Sequence, residues 1–185
     1  MCSSDLQGAA ANAPVPRLVV LGDSLAAGYG LPAASAFPVR LEAALRQAGV
    51  AVDVVNAGVS GDTSAGGLRR LSWVLDGDVR VLVVALGGND GLRGVPTEEL
   101  QRNLTAIVEG ARAKHIAVVL AGMEAPPNFG RDYGVAFHRV FHELAKRPDI
   151  AFVPFLLDGV AGVPRLNQAD GIHPTPEGEI GRAHV

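Results

Sequence analysis

The apolar positions of this chain fall into five short runs separated by stretches with helical spacing. Residues 17–21, 50–55, 79–86, 116–121 and 150–153 are dominated by valine, leucine, isoleucine and alanine. Runs of this length predict strands. The third, apolar almost throughout, predicts a strand covered on both faces, as in a parallel sheet. Between them, residues 39–48 place Leu41, Ala44, Leu45 and Ala48 on one helical face and stop at Gly49. Thr63 or Ser64 is positioned to cap a helix reaching about Leu75. Thr97-Glu98-Glu99-Leu100 opens a long helix to about Lys114, its acids in the turn where the helix dipole favours them. Residues 132–147 carry the last long helical pattern. Strands and helices alternate without repeats or a linker, which predicts an α/β fold: one doubly wound parallel sheet of about five strands.

Composition narrows the function classes. Hydrophobic residues make up 48% of the chain but aromatics only 5%, with 23 glycines, a balance that suits aliphatic parallel strands joined by tight turns. The formal net charge of -3 leaves no electrostatic footprint for nucleic acid or an anionic membrane. No apolar stretch reaches transmembrane length, so stable membrane insertion is not expected. The single cysteine, Cys2, excludes an intrachain disulfide and a cysteine-based zinc site.

The chemistry begins at Gly22-Asp23-Ser24, which ends the first strand run. A strand that stops there and turns sharply presents the serine hydroxyl at the C-terminal edge of the sheet, where open α/β sheets bind ligands. A free serine hydroxyl is a poor nucleophile and needs a base, which in turn needs an orienting acid. Asp170 and His173 lie close enough in Asp170-Gly171-Ile172-His173 to supply both from one loop. Two further junctions follow strand runs, the Gly-rich segment from Asn56 to Thr63 and Gly87-Gly88-Asn89-Asp90. Acyl transfer also needs donors aimed at a developing oxyanion, each worth ~3 kcal/mol. The Ser24 N–H, the Gly61 N–H and the Asn89 side-chain amide are the candidates.

Ser24, Gly61, Asn89 and His173, in this order, make the chain resemble the SGNH (GDSL) hydrolases. Within that family it is most similar to the bacterial multifunctional thioesterase I, lysophospholipase and arylesterase group, through the strings at residues 21–24, 60–64, 86–94 and 170–174. The resemblance implies a three-layer α/β/α, flavodoxin-like fold and a Ser-His-Asp triad. It also implies no metal or cofactor, and hydrolysis of fatty acyl esters and thioesters, with a small-molecule substrate and a monomeric protein. It carries over a mobile substrate-binding loop onto Asp90, Gly91, Leu92, Arg93 and Gly94, running on to Pro96. A second acyl-groove loop falls on Pro126, Pro127, Asn128 and Phe129. A carbohydrate deacetylase shares the four blocks and is the alternative; an acetyl-specific site would reject octanoyl esters. An inactive fragment is the other.

Several motifs have plainer readings. Asp23 reads as a turn-bonding residue, and Asp62 and Asp90, taken alone, as loop-shaping. Arg69-Arg70 reads as a solvated face. His138 and His142 have the i,i+4 spacing of a metal pair but lack a zinc-protease pattern, so a helix face touching solvent is favoured. Gly28-x-Gly30-x-x-Ala33 with Asp53 fits a dinucleotide fingerprint in spacing, yet it opens late after the strand and contains Pro32.

Both ends invite a separate reading. Residues 180–185 can be encoded by ATCGGAAGAGCACACGTC, whose reverse complement, preceded by AG, reads Val-Cys-Ser-Ser-Asp-Leu; a GTG start turns this into residues 1–6. The expectation is adapter read-through around a gene fragment: residues 1–16 a non-native or signal-derived leader, 17–178 the domain, 179–185 an artefactual tail. Ala11-Asn12-Ala13 before Pro14 resembles an export cleavage site, giving a periplasmic or secreted expectation. Family members continue into another packed helix after the histidine block, so a missing final helix and an unstable domain are expected here.

Overall fold

The computed structural model describes residues 15–182, so most of the proposed leader and the last three residues lie outside the described residues. Five strands, β1 Arg17–Gly22, β2 Asp53–Gly58, β3 Val79–Ala85, β4 Ala117–Ala121 and β5 Ile150–Val153, form one sheet in the order β2-β1-β3-β4-β5. Every neighbouring pair is parallel. The helices are α1 Ser24–Ala27, α2 Phe37–Gln47, α3 Ser64–Arg69, α4 Leu71–Val74, α5 Gly88–Arg93, α6 Thr97–Ala113, α7 Arg131–Ala145 and α8 Pro176–Arg182. This is the α/β architecture expected from the alternation of runs.

The central strands explain their own composition. Val19, Val20 and Leu21 of β1 and Leu82, Val84 and Ala85 of β3 are buried, as both faces of a parallel sheet require. Helix α6 covers them with Leu100, Leu104, Ile107, Val108 and Ala111, an i, i+4, i+7, i+8, i+11 stripe. Helix α7 adds Phe137, Val140, Phe141 and Leu144. The helix predicted from residue 39 starts at Phe37 instead, and Ala48, placed on its apolar face, is exposed.

Three local expectations change. Strand β2 runs from Asp53 to Gly58, not over residues 50–55, because pairing of Arg17 with Asp53 through Gly22 with Gly58 draws Asn56, Ala57 and Gly58 into the ladder. Register with the neighbouring strand outweighs the poor strand propensity of Asn and Gly. The helix capped by Thr63 does not reach Leu75 unbroken: it stops at Arg69, and Arg70, with φ -101° and ψ 4°, separates α3 from α4. Past His173, where a missing final helix was expected, Pro176–Arg182 is helical and its Glu179 is buried. That helix includes part of the stretch assigned to a tail.

The topology also fixes where a ligand belongs. β2 lies on one side of β1 and β3 on the other, so the strand order reverses between β1 and β3. Loops leaving the C-terminal ends of these strands diverge there and open a crevice.

Candidate active site

Ser24 is the first residue of α1, directly after β1, at that crevice. The turn is built by its neighbours. Asp23 is buried and its Oδ1 accepts the Leu25 N–H at 3.0 Å, which caps the helix. Gly22 is needed for close approach: a Cβ there would lie 2.5 Å from the Ala26 methyl. Asn56 ties α1 to β2, its Nδ2 donating to the Ala26 carbonyl at 2.9 Å.

His173 and Asp170 sit on a loop closed at its base by an antiparallel bridge between Asn167 and Pro174. His173 Nε2 is 2.8 Å from Ser24 Oγ, and His173 Nδ1 is 2.7 Å from Asp170 Oδ2. The other carboxylate oxygen, Oδ1, accepts the backbone N–H groups of His173 at 3.0 Å and Ile172 at 2.9 Å. The His173 amide bond is the leading cause, followed by the imidazole bond and the Ile172 amide, that holds the Asp170 carboxyl at about 2, below its ordinary 3.8. Its charge is therefore fixed across the physiological range. The ionised acid selects the imidazole tautomer with hydrogen on Nδ1, leaving the Nε2 lone pair for the serine hydroxyl.

Asn89, in α5, projects from the end of β3 toward the same crevice. Its Nδ2 donates to the Asp62 carbonyl at 3.0 Å and lies 3.4 Å from Asp23 Oδ2. Gly61 is exposed on the loop after β2, and its carbonyl accepts a bond from Arg93 Nη2 at 2.8 Å. The β1, β2 and β3 junctions and the histidine loop thus bring Ser24, Gly61, Asn89, Asp170 and His173 to one edge of the sheet.

The loop residues divide into two groups. Leu92 and Phe129 are exposed, as are Pro127 and Asn128, while Pro126 and Gly94 are half-buried. Gly91 is buried against Ala125 and Phe137, and Arg93 is spent on Gly61. Asp90 corrects its placement among substrate-binding residues. It is 1% exposed, with Oδ2 accepting the Ser64 N–H at 2.8 Å and Oδ1 the Ser64 hydroxyl at 2.5 Å. The carboxylate ties the β3 junction to α3, which agrees with its loop-shaping reading. Residues 88–93 are helical and not an open loop, and the Tyr133 hydroxyl, donating to the Val95 carbonyl at 2.9 Å, holds the segment that follows.

Arg70 also departs from the reading as a solvated face. Its Nε donates to Asp62 Oδ2 at 2.7 Å, Nη1 to the Ala57 carbonyl at 2.7 Å and Nη2 to the Gly22 carbonyl at 2.9 Å. One guanidinium therefore joins the end of β1, the end of β2 and the Gly61-Asp62 loop. The missed signal was helical spacing: Gly66 and Gly67 are buried, and a residue three or four positions later shares their face. Arg69 is exposed, as expected.

The remaining motifs settle simply. Gly28 terminates the four-residue α1 with φ 77°, so no long helix opens on it, and Asp53 starts β2 at the opposite edge of the sheet. A dinucleotide site is not formed. His138 and His142 stack at 3.8 Å between ring centroids, and His138 Nδ1 meets Glu124 Oε1 at 2.7 Å. Among the described residues no group of three or more His, Cys, Asp or Glu is arranged to hold a metal, and no helix is long and apolar enough to cross a membrane.

Comparison with known proteins agrees with this geometry. A model of the GDSL-like Lipase/Acylhydrolase family matches residues 20–179. The chain belongs to this family. As a GDSL-like hydrolase it is 47% identical over 163 residues to Esterase TesA of Pseudomonas aeruginosa, spanning 88% of this chain and 81% of that protein. It is 38% identical over 168 residues to thioesterase 1/protease 1/lysophospholipase L1 of Escherichia coli K12, spanning 90% and 79%. A crystal structure of TesA superposes with a TM-score of 0.86 at 43% identity, covering 91% of this chain and 94% of the other. AlinE4, an SGNH-hydrolase family esterase, superposes at 0.82 with 43% identity and 90% coverage of both chains. The GDSL-like family and its fold are those that the four blocks implied.

Proposed function

We propose that this GDSL-like hydrolase is a serine esterase that cleaves carboxylic acyl esters, and thioesters or lysophospholipids with similar acyl chains, through an acyl-enzyme on Ser24. The observation that carries this reading is the continuous hydrogen-bonded chain Asp170–His173–Ser24, with contacts of 2.7 and 2.8 Å. As Ser24 Oγ attacks the acyl carbonyl, His173 Nε2 takes its proton, and the resulting imidazolium is stabilised by Asp170. Collapse of the tetrahedral intermediate breaks the bond to the leaving oxygen or sulfur, which receives that proton from His173. Water, deprotonated by the same nitrogen, then attacks the acyl-enzyme and releases the acid. The Ser24 and Gly61 N–H groups and the Asn89 amide are assigned to the oxyanion, each worth ~3 kcal/mol.

The apolar rim favours an acyl chain over an acetyl group. Tyr29, Val59, Leu92, Phe129 and Ile172, all large and exposed, lie on segments that follow the C-terminal ends of strands or accompany His173. The proposal includes a monomeric enzyme in the periplasm or secreted, the latter resting on the Ala11-Asn12-Ala13 string outside the described residues.

The test is labelling with a fluorophosphonate followed by peptide mapping, beside hydrolysis of p-nitrophenyl acetate and octanoate. Modification at Ser24, lost with Ser24→Ala, and turnover of the octanoate support the reading. A folded protein that resists the probe and hydrolyses neither ester rejects it, and turnover of acetate alone favours the deacetylase alternative.

A further inference from the structure

Ser24 and His173 stand 149 residues apart in sequence, and their 2.8 Å contact exists only while one loop is held in register on the other. The residue that joins the two loops is Gln168. Its Nε2 donates to the Tyr29 carbonyl at 2.8 Å, on the turn that leaves α1, and to the Pro174 carbonyl at 2.9 Å, next to His173. Its backbone N–H donates to the His173 carbonyl at 2.7 Å, and its own carbonyl accepts the Gly171 N–H at 2.9 Å. The two protons of one carboxamide are thus divided between the nucleophile segment and the histidine segment.

The space for this side chain is provided by Gly30. A Cβ at Gly30 would lie 2.4 Å from Gln168 Oε1, and its φ of 74° also favours glycine. The bond to the Tyr29 carbonyl fixes the backbone that carries the Tyr29 ring, which packs on the His173 ring with centroids 4.7 Å apart. We propose that Gln168 is a positioning residue: a clasp, seated over Gly30, that keeps His173 Nε2 within proton-transfer distance of Ser24 Oγ. The proposal rests on the assignment of Ser24, His173 and Asp170 given above.

The chemistry of the clasp is specific. Two carbonyl acceptors require two donors, which an amide supplies and a thioether of the same length does not. Loss of the clasp leaves the substrate groove intact but loosens the reacting pair. Misplacement by about 1 Å costs up to about 100-fold in rate.

The experiment compares wild type, Gln168→Met, Gln168→Ala, Gly30→Ala and the Gly30→Ala/Gln168→Ala double variant. The readouts are kcat and KM on p-nitrophenyl octanoate, the rate of fluorophosphonate labelling at Ser24, and the urea midpoint. The expected result is a fall in kcat and labelling rate of about 10- to 100-fold in Gln168→Met and Gly30→Ala, with KM within about twofold. The double variant is expected to be no slower than Gln168→Ala, because Gly30→Ala acts by displacing the same side chain. Two results overturn the clasp in an active wild-type enzyme: kcat within about twofold of wild type in folded Gln168→Met, or losses that multiply in the double variant. A folded wild-type protein with neither turnover nor Ser24 labelling instead overturns the underlying assignment, and the clasp with it. If Gln168→Ala does not fold, Gln168→Met, which fills the same space, decides the matter alone.

Discussion

Replacing Arg70 with methionine is the sharpest test of how the site is held together. The substitution keeps most of the side-chain volume and removes a guanidinium that bonds Asp62, Ala57 and Gly22. The three acceptors are not equally harmed. The Gly22 carbonyl keeps the Val59 N–H at 3.0 Å, so it is not orphaned. The Asp62 carboxylate loses its cation while its side chain is only 16% exposed, and Arg70 itself is 18% exposed. Breaking one side of a fully buried pair costs ~3–5 kcal/mol, whereas an exposed pair is worth ~0–1 kcal/mol. This pair lies nearer the buried limit, and an unpartnered Ala57 carbonyl adds to it, so a loss of about 3 kcal/mol is expected. For a domain of this size that lowers Tm by about 6–12 °C. Urea and thermal unfolding of Arg70→Met, Asp62→Asn and the double variant measure it. The double variant should be less destabilised than the sum of the singles by about 1–3 kcal/mol. A Tm within about 2 °C of wild type, or strict additivity, refutes the account of Arg70 as the bond between the three junctions.

Other substitutions probe the remaining contacts. Asn89→Ala should cut kcat by ~10²–10³ while KM on the octanoate ester stays close to wild type; a rise in KM at constant kcat would place Asn89 in ground-state binding instead. Ser64→Ala removes the hydroxyl that donates to buried Asp90 but leaves the backbone donor, so urea unfolding should register a loss of about 1–3 kcal/mol, and no loss contradicts the pinning role. The Asp170 carboxyl is held at about 2 in the folded chain against an ordinary 3.8, so its stabilisation is complete above 3.8 and disappears as the pH falls through about 2. The urea midpoint gap between wild type and Asp170→Asn should therefore hold steady from neutral pH to about pH 4 and close toward about pH 2. A gap that persists to the acid end contradicts the cause assigned to the shift.

How much was legible depended on how local the cause was. Strand β3 and helix α6 announce themselves because burial on both faces, or on one stripe, leaves a continuous or periodic apolar pattern. Ser24, Asp170 and His173 stand out for a related reason: each lies in a short turn whose shape is set by neighbours one to three positions away. Strand β2 was displaced because its ends are set by pairing with β1, which Asn56 and Gly58 do nothing to advertise. Arg70 and Gln168 were hidden more completely. Their partners lie 48 and 139 residues away, and a bond across that distance leaves no periodicity and no composition signal. Asp90 was half legible: its loop-shaping role is local, but its inward direction depends on Ser64 of another element.

These contacts have a common design. The three junctions after β1, β2 and β3 each carry an aspartate whose carboxylate serves the scaffold: Asp23 on the Leu25 amide, Asp62 on Arg70, Asp90 on the amide and hydroxyl of Ser64. The charge of each acid is used below the crevice, while the groups that face it are a hydroxyl, an amide and backbone N–H donors. Asp170 on the fourth segment does both jobs. One of its oxygens makes the same kind of bond to backbone amides, and the other reaches the His173 ring. A carboxylate fixed by its own loop cannot swing away when the imidazole becomes charged, so its stabilisation of the imidazolium costs little reorganisation. The same logic applies to oxyanion donors held on clamped junctions. The rate advantage of this site thus depends on residues that never touch the substrate, and for that reason substitutions at Arg70 and Gln168 should separate turnover from binding.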